Sequence, residues 1–298
     1  IQIYKLLYNI KIIKAWWKIL KSRIGFVILT LNSQNVIGNC LKSIMSLKKI
    51  EPKVVVIDNG SKDLTCSIID EYIIRNPDNI KIIKHNGNKG TTFPRNEGIK
   101  ELEYQKLNYF CILDSDTIIN ESAFLKLIYE LETHKEYGMI GPKLISSAGV
   151  VQMSARAFPT LLEKVYKAIP IESLQKKGEK MEMQNAPKEA QDSYPVDYLM
   201  SACWLIKKEV VEKVGLLDEK IFYAPEDAEY CIRVWKKGYK VAYCPNVSII
   251  HEWQRLSKKK FISKMNYEHI KGLIYMFNKH KYLLTTVKLK RSFKFYEG

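Results

Sequence analysis

The chain has 298 residues, 46% of them hydrophobic and 27% charged, which suits one large domain with appendages or two small domains. Its formal net charge is +16, and residues 1–23 and 255–298 carry all of it, so the body between them is neutral. A neutral body argues against a nucleic-acid-binding enzyme, because such enzymes usually carry basic charge around the cleft.

The cysteine pattern and the hydropathy of the sequence indicate the cellular compartment of the protein. The six cysteines form no C-x-x-C pair, so we expect buried reduced thiols rather than a zinc site or a disulfide framework. We find no secretory signal and no apolar run of about 18 residues that could span a bilayer. These features predict a cytoplasmic protein.

Residues 1–23 predict a basic amphipathic helix. Its lysines recur at helical spacing and form one stripe, while Trp16 and Trp17 belong to an apolar stripe. This pattern is typical of a helix on an anionic membrane interface. The alternative is a helix packed on the body or on the second subunit of a homodimer. Residues 256–298 predict a basic helical extension, which could add about 1 kcal/mol of attraction per basic residue at such a surface or could be a solvated tail.

From residue 24 onward, the hydrophobic pattern alternates between strands and helices. The predicted strands are 24–32, 52–59, 79–86 and 109–116, and the predicted helices are 36–47, 67–75, 93–104 and 121–134. This order predicts an α/β fold with a largely parallel sheet, right-handed crossovers and helices on the faces of the sheet.

The pattern loosens after residue 140. Residues 170–195 are polar, bounded by prolines and weakly periodic, which predicts a long loop that is either a lid over the functional site or a mobile surface segment. Periodicity returns at 196–215 and 227–238. These two ranges predict helices or strand–helix pairs that flank an acidic cluster at 226–229.

Three acidic clusters supply the candidate functional residues. Asp58 ends one predicted strand, and Asp114 and Asp116 end another, so we expect them at the carboxyl edge of the sheet, where open α/β folds bind ligands. A D-x-D pair at such an edge is a natural ligand for a hard divalent cation that is bridged to a diphosphate. A later carboxylate, from Glu226 or Asp227, could act as a base. Together these patterns predict a metal-dependent enzyme that acts on a nucleotide diphosphate compound.

Five segments, in order, resemble the motifs of family 2 glycosyltransferases, which have the GT-A fold and use nucleotide sugars with inversion. A further stretch, 141–160, resembles the rhamnosyltransferase-like branch. The resemblance implies a GT-A catalytic domain at 24–255, with a nucleotide-sugar half at 24–120 and an acceptor half at 121–255. The five segments are the opening strand and helix at 26–44, the nucleotide-contacting segment at 54–63, the N-x-G…R-N-x-G segment at 85–99, the D-x-D at 113–116 and the acceptor-side block at 215–253.

This resemblance implies roles for individual residues. Asp116 and His251 would bind Mg²⁺ or Mn²⁺, and Asp114 would contact the ribose or a metal-bound water. Asp227 would be the general base that takes the proton of the acceptor hydroxyl. The other implied contacts are to the nucleotide or diphosphate from Thr30, Asn32, Asp58, Arg95 and Asn96, and to the acceptor from Trp204, Glu226 and Glu229.

The resemblance also implies a reaction and its partners. The enzyme would transfer a sugar from dTDP-rhamnose or a UDP-sugar to a glycan acceptor, in the synthesis of a bacterial surface polysaccharide or glycan. Basic ends on a neutral body suggest an acceptor linked to polyprenyl diphosphate and a peripheral position on the inner face of the cell membrane. Residues 91–94 depart from the family pattern, which leaves the donor open.

Two other functions are compatible with carboxylates on an α/β sheet. A nucleotidyltransferase would need a Gly-rich nucleotide loop after the first strand, and the sequence there offers none. A catalytically inactive, membrane-bound scaffold of the same fold would have lost a carboxylate of the D-x-D or of the Glu226–Asp227 pair, and both sets are present.

Overall fold

The fold is built on one mixed β-sheet. The structure, a computed structural model, describes residues 22–183, 192–252 and 264–294. The amphipathic helix predicted at 1–23 therefore lies almost entirely outside the described residues. The first half contains β1 (Arg23–Thr30), α1 (Ile37–Met45), β2 (Glu51–Asp58), α2 (Thr65–Arg75), β3 (Ile80–Lys84), α3 (Thr92–Glu103), β4 (Tyr109–Asp114), β5 (Thr117–Ile118) and α4 (Glu121–Thr133).

The second half completes the sheet and adds six helices within the described ranges. Its elements are β6 (Tyr137–Ile145), β7 (Val151–Gln152), β8 (Ala155–Arg156), α5 (Leu161–Ala168), α6 (Glu172–Glu182), β9 (Tyr194–Pro195), β10 (Tyr198–Leu199), β11 (Cys203–Lys207), α7 (Lys208–Val214), α8 (Glu226–Lys236), β12 (Lys240–His251), α9 (Lys264–His280) and α10 (Val287–Lys290).

The strand order explains how distant segments meet at one edge. The sheet runs β3-β2-β1-β4-β11-β6-β12-β5, with β11 antiparallel to both of its neighbours. The other long strands of the described chain point in one direction, so the mostly parallel α/β sheet predicted from the sequence is confirmed. The carboxyl ends of β1, β2 and β4 consequently share one edge of the sheet.

The apolar runs become buried strands because helices cover both faces of the sheet. In β1, Phe26 and Ile28 pack into a core with α1 and α4, whereas Val27 packs into a second core with α3 and α8. Among the cysteines, Cys66 is half-buried and the other five are buried, as expected from their apolar surroundings. No helix in the described residues has both the length and the apolar character needed to cross a bilayer.

The prediction of a loop at 170–195 is wrong for part of this range. Residues Glu172–Glu182 form α6, which packs against α5. The helix is held by charge pairs rather than by an apolar stripe: Glu182 accepts hydrogen bonds from Arg156 and Lys167, each at 2.6 Å. The sequence of this helix shows only weak hydrophobic periodicity, because ion pairs take the place of apolar contacts. In the rest of the predicted loop, Tyr194–Pro195 form β9, and residues 184–191 lie outside the described residues.

The C-terminal segment packs against the central α/β body. In α9, the Lys279 ammonium lies 2.7 Å from a carboxylate oxygen of Glu229 in α8. At Gly272, also in α9, a Cβ atom would lie only 2.2 Å from the carbonyl oxygen of Ala224. Glycine at 272 thus allows α9 to approach the loop before α8 closely. The domain boundary predicted at residue 255 therefore divides α9 from residues of the central body that it contacts, namely Glu229 and Ala224.

Candidate active site

The D-x-D segment lies directly after the central strand β4. Asp114 is the last residue of β4, and Asp116 precedes β5, which pairs with the end of β12. In that pairing Thr117 lies opposite His251. Residues more than 130 positions apart in the chain are therefore brought together by the register of two strands.

Asp114, Asp116 and His251 form a potential metal-binding cluster. One ligand atom from each lies within 4.8 Å of the others. The His251 Nε2 atom is 3.3 Å from a carboxylate oxygen of Asp116 and 3.8 Å from one of Asp114. Burial acts to lower the pKa of His251, but the hydrogen bond and charge of Asp116, with the charge of Asp114, outweigh it and raise the pKa.

Gln152 fixes the orientation of the His251 ring. The His251 Nδ1 atom lies 2.6 Å from the Gln152 side-chain oxygen, and the Gln152 amide donates to the His251 carbonyl oxygen at 3.0 Å. Because the Gln152 oxygen can only accept, Nδ1 carries the proton and Nε2 presents its lone pair to the two carboxylates when the ring is neutral. Two carboxylates and one imidazole suit Mn²⁺ or Mg²⁺. Gln152 could not be predicted from the sequence, since a lone glutamine belongs to no recognisable pattern.

We expect the Gln152→Leu variant to bind Mn²⁺ about 10–100-fold more weakly, because groups that orient a ligating histidine typically contribute that much affinity. Mn²⁺ titration followed by electron paramagnetic resonance would measure it, with Gln105→Leu as a control distant in sequence. Unchanged Mn²⁺ affinity in Gln152→Leu would show that His251 does not bind the metal through the oriented Nε2 atom.

Arg95 connects the D-x-D segment to the acidic start of α8. Its guanidinium donates to Asp114 at 3.0 Å and to Glu226 at 2.9 Å, and it also donates to Ser201 at 3.0 Å. Only 3% of its side chain is exposed. A buried guanidinium paired with two carboxylates holds a fixed geometry, so Arg95 sets the spacing between the two halves of the site.

Glu226 and Asp227 begin α8, where the helix N-terminus favours negative charge. The Asp227 carboxylate accepts from the Ala228 N–H at 2.7 Å. Burial and the adjacent Asp227 charge raise the pKa of Glu226 to about 7, against the opposing charge of Arg95. Burial also raises the pKa of Asp227, although the Ala228 N–H, Arg156 and Arg95 oppose it.

Asp227 lines a cavity of about 370 Å³ between α5, α8 and α9. Its wall combines aromatic and aliphatic side chains with basic ones, a composition suited to a sugar ring with polar substituents. Burial, with the nearby charges of Lys164 and Lys167, lowers the pKa of His269 to about 4, so this wall residue is neutral at physiological pH. No sequence motif marks the other wall residues, which include Arg156, Lys164, Tyr198, Tyr223, Met265 and His269.

The predicted nucleotide-contacting residues at the ends of β1 and β2 lie at the same sheet edge. Asp58 accepts hydrogen bonds from the Gly60 and Ser61 N–H groups through one oxygen. Within the described residues, its other oxygen and the Thr30 hydroxyl are buried without a hydrogen-bond partner. Unpaired buried acceptors are costly, so both atoms are suited to a ligand. Asn32, with φ of 50°, accepts from the Lys62 N–H and shapes this loop.

Three residues predicted to contact substrates have structural roles instead. The Asn96 amide bonds the backbone of Leu217 and the side chain of Glu219, so it anchors a loop rather than a nucleotide. Glu229 is fully buried and paired with Arg233, Lys279 and His280. Trp204 is fully buried as well. These three residues were predicted to contact ligands because they lie in or near the motifs. Their positions in helix α3, strand β11 and helix α8 instead direct their side chains into the interior.

Trp204 belongs to the core beneath the site. Its indole stacks on Tyr230 with ring centroids 5.7 Å apart, and its N–H donates to the Leu199 carbonyl oxygen at 3.1 Å. We expect Trp204→Ala to lower the free energy of unfolding by about 3–5 kcal/mol through loss of packing and the resulting cavity. Urea denaturation would measure it. A loss below about 1 kcal/mol, the size expected of an exposed position, would contradict burial of this side chain.

Comparison with known proteins agrees with the observed fold. The model of glycosyl transferase family 2 matches residues 26–215. Over 241 residues the chain is 24% identical to the low-salt glycan biosynthesis hexosyltransferase Agl10 of Haloferax volcanii, covering 80% of this chain and 70% of that protein. It is 27% identical over 130 residues to poly-beta-1,6-N-acetyl-D-glucosamine synthase of Staphylococcus epidermidis, covering 43% of this chain and 30% of the synthase. The chain thus spans less than a third of the synthase.

The structure resembles solved GT-A structures. The crystal structure of GalNAc-T7 with UDP, GalNAc and Mn²⁺ superposes with a TM-score of 0.64 at 17% identity, covering 86% of this chain and 48% of that one. These relatives do not support the rhamnosyltransferase-like branch suggested by residues 141–160. Because the family model covers well over half of the sequence, the chain belongs to glycosyltransferase family 2 and has the GT-A fold.

Proposed function

We propose that this glycosyltransferase is an inverting, metal-dependent enzyme that transfers a hexose or N-acetylhexosamine from a UDP-linked donor to a glycan acceptor. The observation that carries the proposal is the double ion pair of Arg95. It joins Asp114 of the potential metal cluster to Glu226, which directly precedes the candidate base Asp227. Donor-side and acceptor-side carboxylates therefore lie in one site, as a transfer reaction requires.

The residues of this site have complementary roles in such a reaction. Asp227 would accept the proton of the acceptor hydroxyl while that oxygen forms its bond to C1 of the sugar. The bond between C1 and the diphosphate oxygen breaks, and its electron pair leaves with the nucleotide diphosphate. Attack from the face opposite the diphosphate inverts the anomeric centre. A divalent cation held by Asp114, Asp116 and His251 would supply Lewis-acid stabilisation of the diphosphate.

A UDP-linked donor is preferred over dTDP-rhamnose in this proposal. The similar proteins include a hexosyltransferase and an N-acetylglucosamine polymer synthase. Three similar structures contain UDP or UDP-GlcNAc, one contains GDP-mannose, and none of these contains a dTDP-sugar. Asp58 has one buried oxygen without a partner in the described chain. That oxygen could accept a hydrogen bond from N3–H, a donor that uracil and thymine share, so the base alone does not distinguish the two donors.

The acceptor that fits the cavity beside Asp227 is a sugar that belongs to a growing glycan. Its aromatic wall residues Tyr198 and Tyr223 suit the apolar face of a pyranose ring, and Arg156 and Lys164 suit its polar substituents. The basic segments of the chain favour an acceptor linked to polyprenyl diphosphate. The reaction would then belong to the synthesis of a surface polysaccharide or glycan.

Titration calorimetry with UDP-glucose, UDP-N-acetylglucosamine and dTDP-rhamnose, each with and without Mn²⁺, tests the donor and metal assignments. We expect a UDP-sugar to bind only when Mn²⁺ is present and dTDP-rhamnose to bind more weakly. Proton NMR of the product would establish the anomeric configuration. Metal-independent binding of every donor, or retention of configuration, would contradict the proposal.

A further inference from the structure

Helix α5 exposes its apolar side to solvent. Among its residues Glu163 is buried, whereas Leu161, Leu162 and Val165 are exposed. The inward side is charged, because Lys164 and Lys167 pair with Glu163 there. A surface helix normally packs its apolar stripe on the core and turns its charges outward. In α5 this arrangement is reversed.

Helix α9 and the segment after it extend this exposed surface. On α9, Tyr267, Ile270 and Ile274 recur at helical spacing and are 66%, 58% and 56% exposed. The Leu161 N–H donates to the Leu283 carbonyl oxygen at 2.9 Å, which places the start of α5 against the segment after α9. We call this surface the α5–α9 face and define it by six exposed residues: Leu162, Val165, Tyr267, Ile270, Ile274 and Leu284.

The charge of the surrounding segment is strongly positive. Residues 264–294 contain eight lysines and arginines and a single acid, Glu268. Lys271, Lys281, Lys288 and Arg291 are all exposed, and the sequence places three consecutive lysines at 258–260, shortly before α9. An apolar surface bordered by basic side chains complements the hydrocarbon boundary and headgroups of an anionic bilayer.

The α5–α9 face also adjoins the cavity that contains Asp227. Met265, Asn266 and His269 of α9 line this cavity, while Tyr267 and Ile270 of the same turns are exposed. Lys164 of α5 lines it as well. The two helices therefore contribute one side to the cavity and the other side to the exposed surface.

We propose that the α5–α9 face docks on an anionic lipid bilayer. Exposed apolar side chains rimmed by polar residues mark interaction sites in soluble domains, and the basic border selects an anionic partner. Docking is independent of the proposed transfer reaction, but it would place the Asp227 cavity at the membrane surface. A lipid-linked acceptor could then enter the cavity with its lipid chain still in the bilayer.

Vesicle binding by the full chain tests this proposal. We expect co-sedimentation with vesicles of phosphatidylcholine containing about one third phosphatidylglycerol, and much weaker binding to phosphatidylcholine alone. The double variant Ile270→Asp/Ile274→Asp should lower the partition coefficient roughly tenfold or more, because it removes two apolar side chains that would insert into the bilayer and adds negative charge. The matched control is Leu64→Asp/Ile74→Asp, which changes two residues of comparable exposure at α2 and should bind vesicles normally.

Folding of the variants is checked by the temperature of thermal unfolding, which should match that of the unmodified chain. Equal vesicle binding by Ile270→Asp/Ile274→Asp and the unmodified chain would overturn the proposal. It would also be overturned if light scattering showed a dimer that this variant dissociates while vesicle binding stays unchanged, because the face would then contact a second copy. No nucleotide sugar is present in these experiments, so their failure would leave the proposed transferase activity standing.

Discussion

Asp227→Asn is expected to lower kcat for sugar transfer by about 10²–10⁴-fold, the usual contribution of a general base, while the Kd of the nucleotide sugar stays unchanged. The substitution keeps the shape of the side chain but removes its ability to accept the proton of the acceptor hydroxyl. It also keeps a side-chain oxygen that can accept from the Ala228 N–H, as the carboxylate does at 2.7 Å, so the start of α8 should remain folded.

A matched control for Asp227→Asn is Asp70→Asn on α2. Asp70 is exposed enough to form a surface ion pair with Lys84, and such pairs contribute little, so transfer should be unaffected. Kinetics with saturating donor and calorimetry on the same samples separate kcat from donor binding. Transfer by Asp227→Asn at a rate near that of the unmodified enzyme would exclude Asp227 as the base.

The pH dependence of kcat follows from the same carboxyl group. A base must be unprotonated to act, and burial raises the pKa of Asp227 above its ordinary value. We therefore expect kcat to fall as the pH drops through this raised pKa, at a higher pH than an ordinary aspartate of pKa about 3.9 would give. The residual activity of Asp227→Asn should lack this dependence. Its presence there would assign the titration to another group, such as Glu226.

The fold and half of the site could be predicted because both depend on local pattern. Apolar β-branched runs that end in a carboxylate identified β2 and β4, and parallel strands necessarily bring Asp58 and Asp114 to one edge. His251 was located by its motif, although its distance from Asp116 depends on the pairing of β12 with β5. Here the local pattern and the sheet topology agree.

The missed parts depend on contacts between segments that are distant in sequence. Glu229 follows Asp227 by two residues, yet it is buried and its partners Lys279 and His280 come from the far end of the chain. Gln152 acts only through His251, 99 residues later. Helix α6 is stabilised by ion pairs, which leave no hydrophobic periodicity. Residue type and spacing contain no information about such long-range pairs.

A substitution in the potential metal-binding cluster should also have a large effect on donor binding and sugar transfer. We expect Asp116→Asn to abolish Mn²⁺-dependent donor binding and to lower kcat/KM roughly 10²–10⁴-fold, since Lewis-acid stabilisation is worth several kcal/mol and each 1.4 kcal/mol is tenfold. Asp116 is the closer carboxylate to His251, at 3.3 Å, and Arg95 already pairs with Asp114 at 3.0 Å. Asp116 is therefore the cluster carboxylate better placed to give its charge to a cation.

Donor-binding calorimetry with Mn²⁺ distinguishes Asp116→Asn from Asp227→Asn, because only the former should lose donor binding. Mn²⁺ titration by electron paramagnetic resonance supplies the direct readout, again with Asp70→Asn as the control. If Asp116→Asn bound Mn²⁺ and donor normally, the cluster would not be the metal site, and Arg95 would then connect Glu226 to a carboxylate pair with no donor role. Loss of metal binding in Asp116→Asn, together with its retention in Asp227→Asn, is the result that assigns the metal cluster to the donor and Asp227 to the acceptor.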